Sequence, residues 1–311
     1  MAHEHHPDHQ HGHHDHKSQG HGHGHGHSHD HADIDWGEMA PLLEAGAELF
    51  APLYERALAW LAKQRTAPGL VVDAGSGPGV VSCLLAETFP GARVVAVDGS
   101  EPLLERARAR AARLGLADRF DTLAGDLPGV LGDLDHPADL LWASRSLHHL
   151  GDQRAALAAC ARHLAPGGIL AIVEGGLPTR FLPRDIGIGR PGLQARLNAL
   201  EEEWFAEMRA SLPGTVDETE DWLALLTAAG LTRPRSRSFL LDLPAPAPGR
   251  ARAYVAATLS RVRAALADRL DPTDRAALDR LVDPDDRASV HHRPDLFLLA
   301  AHTVHTASRA L

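Results

Sequence analysis

The stretch VVDAGSGPGVVSCLL, Val71–Leu85, decides the fold. It joins a short apolar run to an apolar helical pattern through three glycines at alternate positions, Gly75, Gly77 and Gly79, with Asp73 just ahead of them. A strand that turns into a helix through glycines presents bare backbone N–H groups to a ligand. The stretch therefore predicts a nucleotide-type site at the carboxyl end of the first strand of an α/β domain.

Short apolar runs alternate with helical patterns on both sides of this loop. Continuous apolar strands separated by helices indicate a parallel sheet covered on both faces. The ligand crevice of such a sheet lies at the carboxyl ends of its strands, beside the point where the strand order reverses. A polar residue closes each run, and the five are Asp73, Asp98, Asp126, Ser144 and Glu174. We expect these residues to border one crevice.

The glycine spacing separates two kinds of nucleotide site. A dinucleotide fingerprint reads G-x-G-x-x-G, whereas here Val80 occupies the place of the third glycine. Asp73 also precedes the loop, where a carboxylate suits a ligand with an amino group and a cationic centre better than a pyrophosphate. A nicotinamide-dependent oxidoreductase is thus an alternative that the spacing disfavours.

Five elements in chain order resemble the class I S-adenosylmethionine-dependent methyltransferases of the small-molecule type, similar to the quinone-biosynthesis enzymes. The resemblance covers about 70–174, and WLALLTAAGL is similar to the helix before their sixth strand. It implies a doubly wound, Rossmann-like, seven-stranded methyltransferase sheet whose last two strands form an antiparallel edge, with a helical cap and insertions. The five matching elements are VVDAGSGPG, VVAVDGS, AGDL, DLLWASRSLHHL and APGGILAIVE.

The same resemblance implies S-adenosyl-L-methionine as the cofactor. Asp98 would accept hydrogen bonds from both ribose hydroxyls. Asp73 would orient the loop or the amino group, and Asp126 would accept from the adenine amine. The full set of expected cofactor-binding residues is Asp73, Gly75, Gly77, Asp98, Gly99, Asp126, Leu127 and Ser144.

His148 and His149 are the candidates for catalysis, because they follow the fourth strand. Displacement at a sulfonium needs no metal and no covalent intermediate, so the protein must supply a near-attack geometry and, for some acceptors, a base. One histidine would be that base or would orient the acceptor, or else both are structural and catalysis is positioning alone. Arg145 would bind an anionic substrate or pair with a carboxylate on a helix.

The organisation along the chain follows from composition. Residues 1–33 are rich in histidine and poor in apolar residues, so they are expected to be disordered. Their histidines, His21 to His31 at every second position, would bind divalent metal adventitiously. The other expected segments are a helical cap at 34–66, a cofactor-binding core at 67–177, a helical insertion (lid or acceptor pocket) at 178–215, a core helix and strand at 216–243, a second helical insertion at 244–294 and a final strand at 295–311.

The net charge and the cysteine content limit which kinds of partner and which cellular location are expected. A formal net charge of -10 disfavours nucleic acid, and no apolar run is long enough for a membrane span. Cys83 and Cys160 fall in helical patterns, which favours reduced thiols and a cytoplasmic location. The expected partner is a small-molecule methyl acceptor. A non-catalytic, metal-responsive binding protein on the same fold is a further alternative.

Overall fold

The computed structural model describes residues 36–65 and 67–311. The histidine-rich segment 1–33, with its expected disorder and metal binding, lies outside the described residues.

One mixed sheet organises the described chain. Its seven strands stand in the order β3-β2-β1-β4-β5-β7-β6. Strands β1 to β5 run parallel, while β7 is antiparallel to both β5 and β6. The expected doubly wound sheet with an antiparallel edge is confirmed. The strands are β1 (Leu70–Ala74), β2 (Arg93–Asp98), β3 (Phe120–Ala124), β4 (Ala138–Ser144), β5 (Leu164–Arg180), β6 (Thr232–Leu243) and β7 (Leu298–Ser308).

Helices cover both faces of the sheet and divide the core into two clusters. One cluster contains apolar side chains of α1, α2, α3, α5, α7 and α8, and the other contains those of α4 and α6. This two-sided burial explains why the parallel strands are continuously apolar. The helices are α1 (Trp36–Ala62), α2 (Val80–Thr88), α3 (Glu101–Arg113), α4 (Gln153–Arg162), α5 (Leu193–Ser211), α6 (Trp222–Ala228), α7 (Gly249–Ala265) and α8 (Pro272–Val282).

The strand order places the crevice. β1 pairs with β2 on one side and with β4 on the other, so the chain reverses direction across the sheet at β1. Parallel strands all present their carboxyl ends at the same edge. The segments after β1, β2 and β4 therefore meet at this edge, as expected for the ligand crevice of a doubly wound sheet.

β5 is longer than the sequence pattern indicated. It continues to Arg180, three residues beyond the core boundary expected at 177, and Leu177 and Arg180 pair with Ala301 and Leu299 of β7. The buried run ends at Glu174, but the antiparallel partner supplies backbone hydrogen bonds that extend the strand into an exposed stretch. The following helix, α5, begins only at Leu193.

Two further expectations concern thiols and membranes. Cys83 lies in α2 and Cys160 in α4, and both are buried free thiols. No helix between residues 36 and 311, apart from the undescribed Thr66, combines the length and the apolar character needed to cross a bilayer.

Candidate active site

The glycine loop is held against β2 by its own backbone. The N–H groups of Gly75 and Ser76 both donate to the carbonyl of Val97, at 2.8 and 2.9 Å. Gly75 has φ of 79°, and a Cβ there would lie 2.5 Å from Cβ of Ser146. A side chain at this position would collide with the segment after β4, so packing within the protein requires this glycine.

Gly77 differs from its neighbours in the loop. Its φ is 53°, but among the described residues no heavy atom beyond its two chain neighbours lies within 4 Å of the position that a Cβ would occupy. Its N–H donates to Oδ2 of Asp98 at 2.8 Å. Bare backbone beside open space is what close approach of a ligand requires, so the loop fits the methionyl part of the expected cofactor.

Asp98 lies where β2 ends and bridges two loops. Its Oδ1 accepts from the N–H of Ser100 at 2.9 Å, while Oδ2 accepts from Gly77. Burial raises its pKa above the ordinary range, although both backbone hydrogen bonds oppose the rise. A carboxylate offers about four lone-pair directions. Two therefore stay available for the ribose hydroxyls after the backbone bonds are counted.

The loop after β3 brings the expected adenine-side residues to Asp98. The Gly125 N–H donates to the Asp98 carbonyl at 3.1 Å. A Cβ on Gly99 would lie 3.0 Å from Oδ1 of Asp126, and a Cβ on Gly75 would lie 3.9 Å from Leu127. Asp98, Gly99, Asp126 and Leu127 thus border the same space as the glycine loop.

Asp73 lies inside this edge of the sheet and is 1% exposed. Ser82 of α2 donates a hydrogen bond to Oδ2 of Asp73 at 2.5 Å. Burial raises the pKa of Asp73 to about 7; the Ser82 hydrogen bond opposes the rise and the neighbouring Asp98 adds to it. A cationic group brought close would favour the ionised carboxylate. Asp73 is therefore suited to binding an ammonium group.

The raised pKa of Asp73 predicts an unusual dependence of stability on pH. Between pH 4 and 7 the folded state holds a proton on Asp73 that the unfolded state has lost, so ionisation of this residue lowers the free energy of unfolding as pH rises. We expect Asp73→Asn to be more stable than the wild type at pH 8 without ligand. The difference should shrink by up to about 1.4 kcal/mol per pH unit as pH falls towards 5, measured by urea denaturation.

Asp139 provides the matched control with the opposite sign. Burial opposes its ionisation, but hydrogen bonds from the N–H groups of Leu70 and Gly69 and from Arg65 outweigh burial and hold the pKa of Asp139 below its usual range. Asp139→Asn should therefore be less stable than the wild type at pH 8, with the deficit shrinking as pH falls. Asp73→Asn curves that follow this second pattern would contradict the assignment of a raised pKa to Asp73.

The segment after β4 carries one residue that the sequence interpretation missed. Ser144, an expected cofactor residue, is placed beside Tyr54 of α1, where burial raises the pKa of Tyr54 and the Ser144 side chain opposes the rise. Ser146 instead reaches the glycine loop, and its hydroxyl donates to the carbonyl of Ala74 at 3.0 Å. The sequence does contain the signal, because Ser146 carries a hydroxyl two residues after the end of β4. Only the three-dimensional structure shows that Ser146, and not Ser144, contacts the glycine loop.

His148 is fixed by a carboxylate within β5. Its Nδ1 lies 3.1 Å from Oε2 of Glu174, and the other oxygen of Glu174 accepts from the N–H of Leu147 at 3.1 Å. Arg209 of α5 donates to the His148 carbonyl at 2.9 Å and so holds the backbone turn. Because an ionised carboxylate only accepts, the Glu174 contact places the proton on Nδ1 and leaves Nε2 as the acceptor.

His149 has a different environment. Its side chain is exposed, and its ring lies 4.2 Å from that of His148 and 6.1 Å from that of Trp36, measured between centroids. The structure therefore brings both expected histidines to the end of β4, and it gives a carboxylate partner to His148. In residues 36–65 and 67–311 no group of three or more metal-binding side chains is assembled.

Comparison with known proteins agrees with this geometry. Residues 71–168 match a family model described as a methyltransferase domain. The trans-aconitate 2-methyltransferase of Methylobacterium radiotolerans is 34% identical over 165 residues, 49% of this chain and 60% of its own. That of Streptomyces coelicolor is 31% identical over 168 residues, 53% and 52% of the two chains.

A relative with a different named activity also matches part of the chain. The demethylmenaquinone methyltransferase of Thermus thermophilus is 35% identical over 136 residues, 43% of this chain and 57% of its own. The chain thus spans 52–60% of the length of these curated relatives. Residues 71–168 thus resemble a methyltransferase domain, and the seven-stranded sheet that contains them has the doubly wound, Rossmann-like order expected of a methyltransferase sheet.

Proposed function

We propose that this protein transfers a methyl group from S-adenosyl-L-methionine to an oxygen, nitrogen or carbon of a small-molecule acceptor. The observation that carries the proposal is the open space beside the backbone of Gly77, bordered by Asp98. A nicotinamide dinucleotide fits this loop less well, because Val80 stands where its fingerprint requires the third glycine and is buried in α2.

The cofactor supplies an activated methyl group on a sulfonium. Asp98 binds the ribose hydroxyls, and Asp126 accepts from the adenine amine while Leu127 packs on the ring. Gly75 and Gly77 admit the methionyl part, and Asp73 orients its ammonium group. Gly99 and Ser144 complete the proposed set, Gly99 by leaving room for the Asp126 carboxylate and Ser144 by bordering the site at the end of β4.

His148 is the proposed proton acceptor. Glu174 fixes the tautomer in which Nε2 carries the free lone pair, and Arg209 holds the turn that carries the ring. This arrangement lets Nε2 take a proton from an acceptor hydroxyl, amine or acidic carbon as the methyl group is transferred. His149, in ring contact with His148 and Trp36, supports the orientation of that ring. No step in this scheme calls for a metal.

The acceptor is a small molecule, and the relatives differ in theirs. Two are named for trans-aconitate and one for demethylmenaquinone, an acid and a quinone. Acceptor specificity is therefore expected outside residues 71–168, which match the family model. The helical cap at 34–66 and the insertions at 178–215 and 244–294 are the proposed acceptor-binding parts, and α1, α5, α7 and α8 are their helices.

The Gly77→Ala variant tests the cofactor site. No atom of the described residues opposes the added methyl group, so the free energy of unfolding should fall by only the left-handed backbone penalty of about 1–2 kcal/mol. The methyl group would nevertheless enter the space assigned to the ligand. We expect the affinity for S-adenosylhomocysteine, measured by calorimetry, to fall by more than about tenfold.

Gly115→Ala is the matched control. Gly115 has φ of 71° and the same open surroundings, but it follows α3 and lies away from the loop. Gly115→Ala should lower the free energy of unfolding by a similar amount and should leave the affinity for S-adenosylhomocysteine unchanged. Wild-type protein that binds NADH and not S-adenosylhomocysteine would overturn the proposed function in favour of the oxidoreductase.

A further inference from the structure

An aromatic cluster lies beneath α1 on the same side of the sheet as Trp142. The ring of His302, on β7, lies 5.0 Å from that of Phe50 and 5.7 Å from that of Tyr54. Tyr254 of α7 lies 5.5 Å from Phe50. The polar end of the cluster is at the carboxyl end of β4, because the Ser144 side chain is close enough to Tyr54 to oppose the rise that burial causes in the pKa of the Tyr54 hydroxyl. The cluster therefore adjoins the segment that carries His148.

Two buried nitrogens in this cluster have no hydrogen-bond partner among the described residues. They are Nδ1 of His302 and Nε1 of Trp142, which both flank Tyr54. His302 is only 6% exposed. A buried polar nitrogen without a partner costs about 1–3 kcal/mol, so a ligand or a water is expected to satisfy it.

His305 shows that a histidine on β7 can have a hydrogen-bond partner for each of its two ring nitrogens. It lies three residues further along β7, on the opposite face. Its Nδ1 is 2.6 Å from the Ser236 hydroxyl, and its Nε2 is 3.2 Å from the Glu174 carbonyl. The unsatisfied state of His302 is therefore a property of its site and not of the strand.

Arg145 supplies a positive charge at the polar end of the cluster. It has φ of 54°, a left-handed conformation that costs a non-glycine residue about 1–2 kcal/mol, and its N–H donates to the Val173 carbonyl at 3.0 Å. The guanidinium is exposed and forms no ion pair in the described part of the chain. It is nevertheless close enough to act electrostatically on both Tyr54 and His302.

We propose that Tyr54, Arg145 and His302 bind a carboxylate, or an equivalent anionic oxygen, of the methyl acceptor. The proposal rests on the proposed function and assigns to it a class of substrate: a small anionic molecule whose apolar body packs on the rings of Phe50 and Tyr254. Three donors from three separate elements, α1, the end of β4 and β7, would then converge on one group.

The protonation states of these groups suit an anion. Burial raises the pKa of Tyr54, with Arg145 opposing, so the hydroxyl remains a donor at neutral pH. Burial and Arg145 together lower the pKa of His302 to about 4, so the imidazole is neutral and offers one N–H. Arg145 then supplies the only positive charge of the three, which matches a single carboxylate. The nearby carboxylate of Glu174 is engaged by His148 and Leu147.

Two matched pairs of probes test this assignment: benzoate with benzamide, and hexanoate with hexanamide. Each pair has nearly the same shape and differs in charge. With the wild type saturated by S-adenosylhomocysteine, at least one acid should bind more tightly than its amide. Arg145→Gln should lower the affinity for that acid by about 10-fold or more. Tyr54→Phe and His302→Phe should each lower it by about 2–10-fold, and the affinity for the amide should change little in all three variants.

Measurements of protein stability distinguish a role of His302 in binding the acid from a role in holding the fold together. Because His302→Phe removes the unsatisfied Nδ1 and keeps a ring, the free energy of unfolding should be retained while acid affinity falls. His305→Gln is the control and should leave acid affinity unchanged. Equal binding of acid and amide in the wild type, or full acid affinity in all three variants, would overturn the assignment and leave a buried water as the partner of His302. Protein that fails to bind S-adenosylhomocysteine at all would instead contradict the proposed function.

Discussion

Glu174→Gln and His148→Ala are each expected to lower kcat by about 10²–10⁴-fold, while the affinity for S-adenosylhomocysteine stays within about twofold. The glutamine retains an oxygen that accepts from Leu147, but its amide group donates to Nδ1 of His148 and so reverses the tautomer. Nε2 would then carry the proton and could no longer take one from the acceptor. His148→Ala removes the base itself.

His149→Ala is the matched control, since it removes a neighbouring imidazole and leaves the Glu174 contact intact. It should reduce stability more than kcat. The measurement is kcat against pH for the three variants and the wild type. The wild-type kcat should fall at acidic pH as the base becomes protonated, and this acidic limb should be lost only in the Glu174 and His148 variants. Near-wild-type rates in both of these would show that the pair is structural and that catalysis is positioning alone.

Much of the core follows from local sequence. The runs that became β1 to β5 are apolar because both faces of the sheet are covered, and Asp73, Asp98 and the glycines stand where each strand ends. These features depend on residues that are close together in the sequence, so the hydrophobic pattern of the sequence is enough to predict them. The antiparallel edge of β6 and β7 came from the family resemblance, because exposed, arginine-rich β6 carries little signal of its own.

The acceptor side depends on contacts between distant residues. Tyr54, Arg145 and His302 come from three elements far apart in the chain, and nothing in the local pattern of any of them indicates the other two. The same holds for Glu174 and His148, whose pairing distinguishes two adjacent histidines that the sequence treats alike. The hydrophobic pattern also could not predict the end of a strand that is set by pairing with another strand, as in β5 between Gly176 and Arg180.

Asp98→Ala is expected to lower the affinity for S-adenosylhomocysteine by about 10–150-fold, as measured by calorimetry. Hydrogen bonds to a charged group contribute about 1.5–3 kcal/mol, and burial of Asp98 keeps water from replacing them. The same carboxylate also accepts from the N–H groups of Gly77 and Ser100. Part of any loss could therefore come from a displaced loop, and a change of the protein alone does not separate the two causes.

A change of the ligand does separate them. The 2′-deoxy analogue of S-adenosylhomocysteine lacks a hydroxyl assigned to Asp98, so it should bind the wild type at least about tenfold more weakly than the parent compound. In Asp98→Ala the two ligands should bind equally, because the partner of that hydroxyl is gone. Asp121→Ala, which removes an exposed carboxylate of β3 paired with Arg93, should leave both affinities unchanged. If the parent compound keeps its full advantage over the analogue in folded Asp98→Ala, the ribose lies elsewhere and the assignment of Asp98 is wrong.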